Sequence, residues 1–156
     1  MHLTENALVL DAAPFRAMPS GRSHLVAASL KPKKRVLVVD DHDIIVDTLV
    51  MVLLAEGFHA EATYNSQHAL SLLQSGSFDL LLSDVMMPGM TGIELAIDST
   101  RRHLVRSVLL MSGVSSTADL LENARKLGYS FEILAKPIYP TEVIEKIHAL
   151  LAAIGA

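Results

Sequence analysis

Residues 80–92 read LLLSDVMMPGMTG, and this stretch decides the fold. Leu80, Leu81 and Leu82 form a short apolar run of the kind that buries itself as a strand covered on both faces. The run ends in an acid, Asp84, and then breaks at once into the turn signals Pro88, Gly89 and Gly92. A strand that ends in this way carries its carboxylate to a rim, outside the core.

Working outward, the chain from Arg35 onward alternates short apolar runs with segments of helical period. RVLVV (35–39), AEATY (60–64), FDLLLS (78–83), SVLLM (107–111) and FEILA (131–135) are predicted strands, bounded by Asp, Gly, Ser or Pro. Helices are predicted over 43–56, stopped by Gly57, over 66–74, stopped by Gly76, and over 91–102. A fourth opens with Ser116 and Asp119 at capping-box-like spacing and stops at Gly128. A fifth opens at Thr141, just after Pro140. Five strand–helix repeats imply an α/β doubly wound, five-stranded parallel sheet with right-handed crossovers and helices on both faces. AEATY alternates and is expected at an edge. In such sheets ligands bind beyond the carboxyl ends of the strands.

About half of the 156 residues are hydrophobic, enough for one domain and a tail. Residues 1–33 are broken by Pro14, Pro19, Gly21 and Pro32 and run into the basic cluster KPKKR. They are expected to be a flexible extension ahead of a domain spanning 34–154. The absence of cysteine excludes disulfides and thiolate metal sites and suits a reducing compartment. A net charge of −4 argues against a phosphate-binding face for nucleic acid. No apolar run approaches the roughly 20 residues of a membrane span, and the N-terminal residues lack the positive start of a secretion signal. A cytoplasmic location is expected, with no membrane insertion.

The strand ends carry the chemistry. The first ends in Asp40 and Asp41, the third in Asp84, the fourth in Ser112 and the fifth in Lys136 followed by Pro137. Any one of these acids alone is an ordinary turn residue; their convergence is what calls for chemistry. Two carboxylates about 4 Å apart repel by roughly 4 kcal/mol at an effective dielectric near 20. An oxygen-liking dication relieves that repulsion, and Mg²⁺ suits such a site. Lys136 and Ser112 would then serve a bound anion as charge partner and hydrogen-bond donor. Asp84, lifted out by the turn MMPGMTG, is the expected nucleophile toward phosphorus. Asp43 is expected to cap the first helix, His42 to be a solvated turn residue, and the seven methionines to serve packing.

VLVVDDH (36–42), DLLLSDVMMPGMTGIEL (79–95), VLLMSG (108–113) and ILAKPI (133–138) resemble the receiver domain of bacterial two-component response regulators, over about residues 34–153. The resemblance implies a flavodoxin-like (βα)5 fold with strand order 2-1-3-4-5. It implies that Asp84 accepts a phosphoryl group from a sensor histidine kinase or histidine phosphotransfer protein. Mg²⁺ would be held by Asp40, Asp41, Asp84 and the main-chain carbonyl of Met86. Ser112 and Lys136 would contact the phosphoryl oxygens, with a cis Lys136–Pro137 peptide. Phosphorylation would draw Ser112 inward and reshape the face made by helix 4, strand 5 and helix 5. Members usually carry Tyr or Phe three residues before the strand-5 lysine as a switch residue; here Ile133 stands there, with Phe131 on the same strand face.

The expected function is that of a phosphoacceptor signalling protein rather than an enzyme. It would act through protein contacts on a downstream target, without an output domain, with no direct nucleic-acid binding and with homodimerisation open. The alternative is a phosphorylation-independent interaction module, for which Ile133 is the only sign. A phosphatase acting on small substrates is disfavoured, because Met86 stands where a general acid/base carboxylate would be needed.

Overall fold

A computed structural model describes residues 31–113 and 117–155. Most of the expected flexible extension, residues 1–30, and Ser116 at the expected start of the fourth helix lie outside the described residues. In chain order the elements are β1 (Arg35–Val39), α1 (Asp43–Ala55), β2 (His59–Thr63), α2 (Ser66–Ser75), β3 (Phe78–Asp84), α3 (Gly92–Arg101), β4 (Val105–Ser112), α4 (Ala118–Lys126), β5 (Glu132–Ala135) and α5 (Pro140–Ile154). The five strands form one parallel sheet in the order β2-β1-β3-β4-β5. The expected doubly wound architecture is therefore present.

Strand alternation sorts the core into two layers. Val36, Val38, Leu80, Leu82, Leu109, Met111 and Leu134 pack with Val46, Leu49 and Leu53 of α1 and Val143, Ile147 and Leu151 of α5. Leu37, Val39, Leu81 and Leu110 pack on the other side with Ala69 and Leu73 of α2, Leu95 and Ala96 of α3 and Ala124 of α4. Each fully buried leucine contributes about 1.5–3 kcal/mol relative to exposure. The same parity orients the strand ends. Asp40, Asp84 and Lys136 continue the rows of Val38, Leu82 and Leu134 on the α1/α5 side, whereas Ser112 continues the row of Leu110 on the opposite side.

Several boundaries differ from the sequence expectation. β4 begins at Val105 rather than Ser107, because its ladder with β3 opens at Phe78↔Val105 and runs through Arg106, whose exposed polar side chain hides the strand from a hydrophobicity reading. β2 begins at His59, paired with Arg35, and Tyr64 leaves the strand to donate its hydroxyl to Asp47. Thr91 caps α3 in a full capping box with Glu94 instead of forming its first residue. Pro140 opens α5, where its missing N–H has no helical partner to lose.

Asp43 is not a cap. It is the first residue of α1, its carboxylate accepts the Ile44 N–H at 2.8 Å, and the N-cap position belongs to His42. The acid remains favourable there, at the positive end of the helix dipole.

Candidate functional site

Three charged side chains meet where β1, β3 and β5 end. Asp40 is fully buried. Its Oδ1 accepts the His42 N–H at 3.0 Å and lies 2.9 Å from His42 Nδ1, and its Oδ2 accepts from Lys136 Nζ at 3.1 Å. Lys136 Nζ also lies 3.1 Å from Asp84 Oδ1, so one ammonium bridges two buried carboxylates. Lys136 is held in place by its own N–H, which donates to the Ser112 carbonyl at 2.8 Å, and the peptide to Pro137 is cis, as expected. Asp41 is partly exposed and stands 3.3 Å from His42 Nδ1.

The electrostatics follow from this crowding. Burial, reinforced by the charges of Asp40 and Asp41, pushes the Asp84 carboxyl above the usual range, and Lys136 only partly opposes it. Burial also acts to raise Asp40, but the hydrogen bonds from the His42 N–H and ring and from Lys136 outweigh it and hold Asp40 low. Burial disfavours the Lys136 ammonium, yet its bonds to Asp40 and Asp84 win and lift it above its ordinary value. Burial is thus the first cause of the raised Asp84, and the neighbouring carboxylates add to it.

The residues fit a hard dication. Their donors are carboxylate oxygens, the set Mg²⁺ prefers, and Asp40 and Asp84 share a single ammonium with Asp41 close by. Ligand atoms of Asp40, Asp41 and His42 lie within 4.8 Å of one another. Expected only as a solvated turn residue, His42 is indeed exposed but also belongs to this cluster. Its ring is held by Asp40 and drawn further toward the protonated form by Asp41.

Of the expected site residues, Asp40, Asp84 and Lys136 are in direct contact, and Asp41 adjoins them through His42. Met86 is exposed at the rim. Ser112 engages elsewhere: its hydroxyl lies 2.6 Å from that of Thr117. Ile133 is half-buried in the layer shared with α4, and Phe131 packs in the same layer, stacked against Tyr129.

Three contributors were assigned no part in the site from sequence. Gly92 lies against the main chain of Asp84, and the buried Ser66 donates to the Met90 carbonyl at 2.6 Å, tying α2 to the turn after Asp84. Thr117 is the third. The TG at 91–92 was a usable signal for Gly92. Nothing local marks Ser66 or Thr117, whose partners come from other elements.

Residues 36–148 match the profile of the response regulator receiver domain. The chain belongs to this family. The receiver is 33% identical over 115 residues to Protein PetR of Rhodobacter capsulatus, covering 74% of this chain and 47% of that protein. It is 31% identical over 139 residues to a probable transcriptional regulatory protein of Picosynechococcus, covering 83% and 53%. The chain thus spans about half the length of these curated relatives. Among solved structures, it is similar to the response regulator TrrA of Thermotoga maritima in complex with Mg²⁺ and BeF, at 30% identity and TM-score 0.65, covering 75% of this chain and 98% of that chain. It is also similar to a CheY-like receiver domain of Methanospirillum hungatei, at 26% identity and TM-score 0.72, covering 78% of this chain and 96% of that one. Receiver domains are signalling proteins of two-component systems rather than enzymes of the usual kind.

Proposed function

We propose that this receiver, residues 34–154, accepts a phosphoryl group on Asp84 in a Mg²⁺-dependent reaction and signals through protein contacts. The observation that carries the reading is the Lys136 ammonium set 3.1 Å from both Asp40 and Asp84, beside a third acid. A carboxylate oxygen of Asp84 attacks phosphorus of a phosphohistidine, the N–P bond breaks, and the imidazole leaves with the electron pair and takes up a proton. Asp40, Asp41, Asp84 and the Met86 carbonyl would hold Mg²⁺, which screens the approaching phosphoryl charge when bound. Lys136 holds its ammonium where phosphoryl oxygens would develop charge. Asp40 keeps that ammonium in place, and Ser112 supplies a hydroxyl once turned inward.

A sensor histidine kinase or histidine phosphotransfer protein is the proposed donor. Beside Lys136 runs an apolar groove of about 310 Å³ lined by Ile44, Ile45, Leu49, Pro137, Ile138 and Pro140. Ile44, Met51 and Leu54 leave apolar surface exposed along α1. These features suit a protein partner whose phosphohistidine must reach the rim. Among the described residues no helix is long and apolar enough to cross a membrane; we propose that the receiver works in the cytoplasm. Output is assigned to the α4-β5-α5 face: a phosphoryl group of about two negative charges beside Lys136 can supply the few kcal/mol a two-state shift requires.

Incubation with Mg²⁺ and acetyl phosphate tests the reading. The mass should rise by one phosphoryl group, the adduct should be sensitive to hydroxylamine, and Asp84→Asn should abolish it. No mass gain, or a gain that survives Asp84→Asn, overturns the proposal.

A further inference from the structure

The Ser112 hydroxyl is engaged on the wrong side of the sheet for phosphoryl contact. Strand parity sets Asp84 and Lys136 on the α1/α5 side and Ser112 on the α4 side. There its Oγ lies 2.6 Å from Oγ1 of Thr117, which is 4% exposed. Thr117 occupies the N-cap position of α4, where a threonine ordinarily turns its oxygen onto the N–H of the first helical turn. This one makes no side-chain capping bond, because its backbone is αR (φ −92°, ψ −8°) rather than extended. Its hydroxyl faces Ser112 across the end of β4. Ile133, on the same face of the neighbouring strand, has no polar side-chain atom to offer in its place.

We infer that Thr117 is a positioning residue for Ser112: it holds the Ser112 hydroxyl on the α4 side, so that contact with a phosphoryl group on Asp84 requires the Thr117 bond to be exchanged for one to a phosphoryl oxygen. The inference rests on Asp84 as phosphoacceptor. Whichever hydroxyl donates, the two contacts lie on opposite sides of the sheet, so the Ser112 oxygen makes one or the other, and a buried hydroxyl pair is worth about one ordinary hydrogen bond. Thr117 thereby biases the receiver toward its unphosphorylated arrangement and ties the start of α4 to the state of the site. Removing that bond favours the inward Ser112 in proportion.

The test is titration of the full chain with beryllofluoride in saturating Mg²⁺, followed by ¹⁹F NMR of the bound species. Wild type should bind. Thr117→Val, which keeps the shape and removes the hydroxyl, should bind about fivefold more tightly. Thr117→Ser, which keeps the hydroxyl, should match wild type. In a Ser112→Ala background, Thr117→Val should change nothing. Equal or weaker binding by Thr117→Val, or tightening that persists without Ser112, overturns the role of Thr117 while leaving Asp84 as acceptor. Failure of wild type itself to bind overturns both readings.

Discussion

Gly92, the first residue of α3, lies against the main-chain carbonyl of Asp84 so closely that a Cβ on Gly92 would overlap the Asp84 oxygen and stand 2.8 Å from its carbonyl carbon and 2.9 Å from Ser83 Oγ. The contact is supported by the Gly92 N–H, which donates to the Val85 carbonyl at 2.9 Å. The backbone of the acidic residue is thus packed directly on a helix start. All the atoms that a methyl group would meet are backbone or buried, so none can swing aside.

Gly92→Ala is therefore expected to lower stability by about 1–3 kcal/mol, as overpacking does. The urea midpoint should fall with an unchanged slope. Phosphoryl uptake from acetyl phosphate should fall as well, because relief of the clash displaces Asp84 itself.

Mg²⁺ should stabilise the receiver, because a ligand of the folded state alone adds about 2.7 kcal/mol at a hundredfold excess over Kd. The thermal midpoint should rise on titration with Mg²⁺ and return with chelator. Asp41→Asn, which removes the most accessible acid of the set, should blunt the rise. A midpoint indifferent to Mg²⁺ in wild type would contradict the fit of these residues to the ion.

The pH dependence of Asp84→Asn has a defined sign. The Asp84 carboxyl is raised in the fold, first by burial and then by the charge of Asp40. Between the unfolded value of about 4 and its higher folded value, the folded state binds more protons than the unfolded one, so this group's contribution falls as pH rises. Asp84→Asn should accordingly be more stable than wild type at neutral pH. The gap should close as pH falls toward 4. Asp40, held low despite burial by its bonds from His42 and Lys136, acts in the opposite sense. Its contribution is present above about pH 4 and is lost as pH falls through its lowered folded value. Urea melts at several pH values measure both.

Ser66→Ala should remove the 2.6 Å bond to the Met90 carbonyl and leave that acceptor without its hydroxyl partner. A loss of about 1–3 kcal/mol is expected. Faster amide exchange should be confined to residues 86–91, the turn that follows Asp84.

The sequence by itself determined the five strands, their parallel arrangement and the set of acids at their ends. These depend on local quantities: apolar runs of strand length, helical period between them and Gly or Pro at the breaks. It also revealed which strand end carries Lys136 and which carries Ser112. The tertiary structure alone decided how those ends face one another. That Asp40 is the fully buried acid while Asp41 is partly exposed, that one ammonium spans Asp40 and Asp84, and that Ser112 turns to Thr117 all follow from strand parity and from helices packed on opposite faces of the sheet. The expected cap at Asp43 was wrong for the same reason, since turn propensity does not say where the first helical hydrogen bond closes. Side-chain direction at a strand end is set by register with neighbouring strands, and register is a property of the assembled sheet.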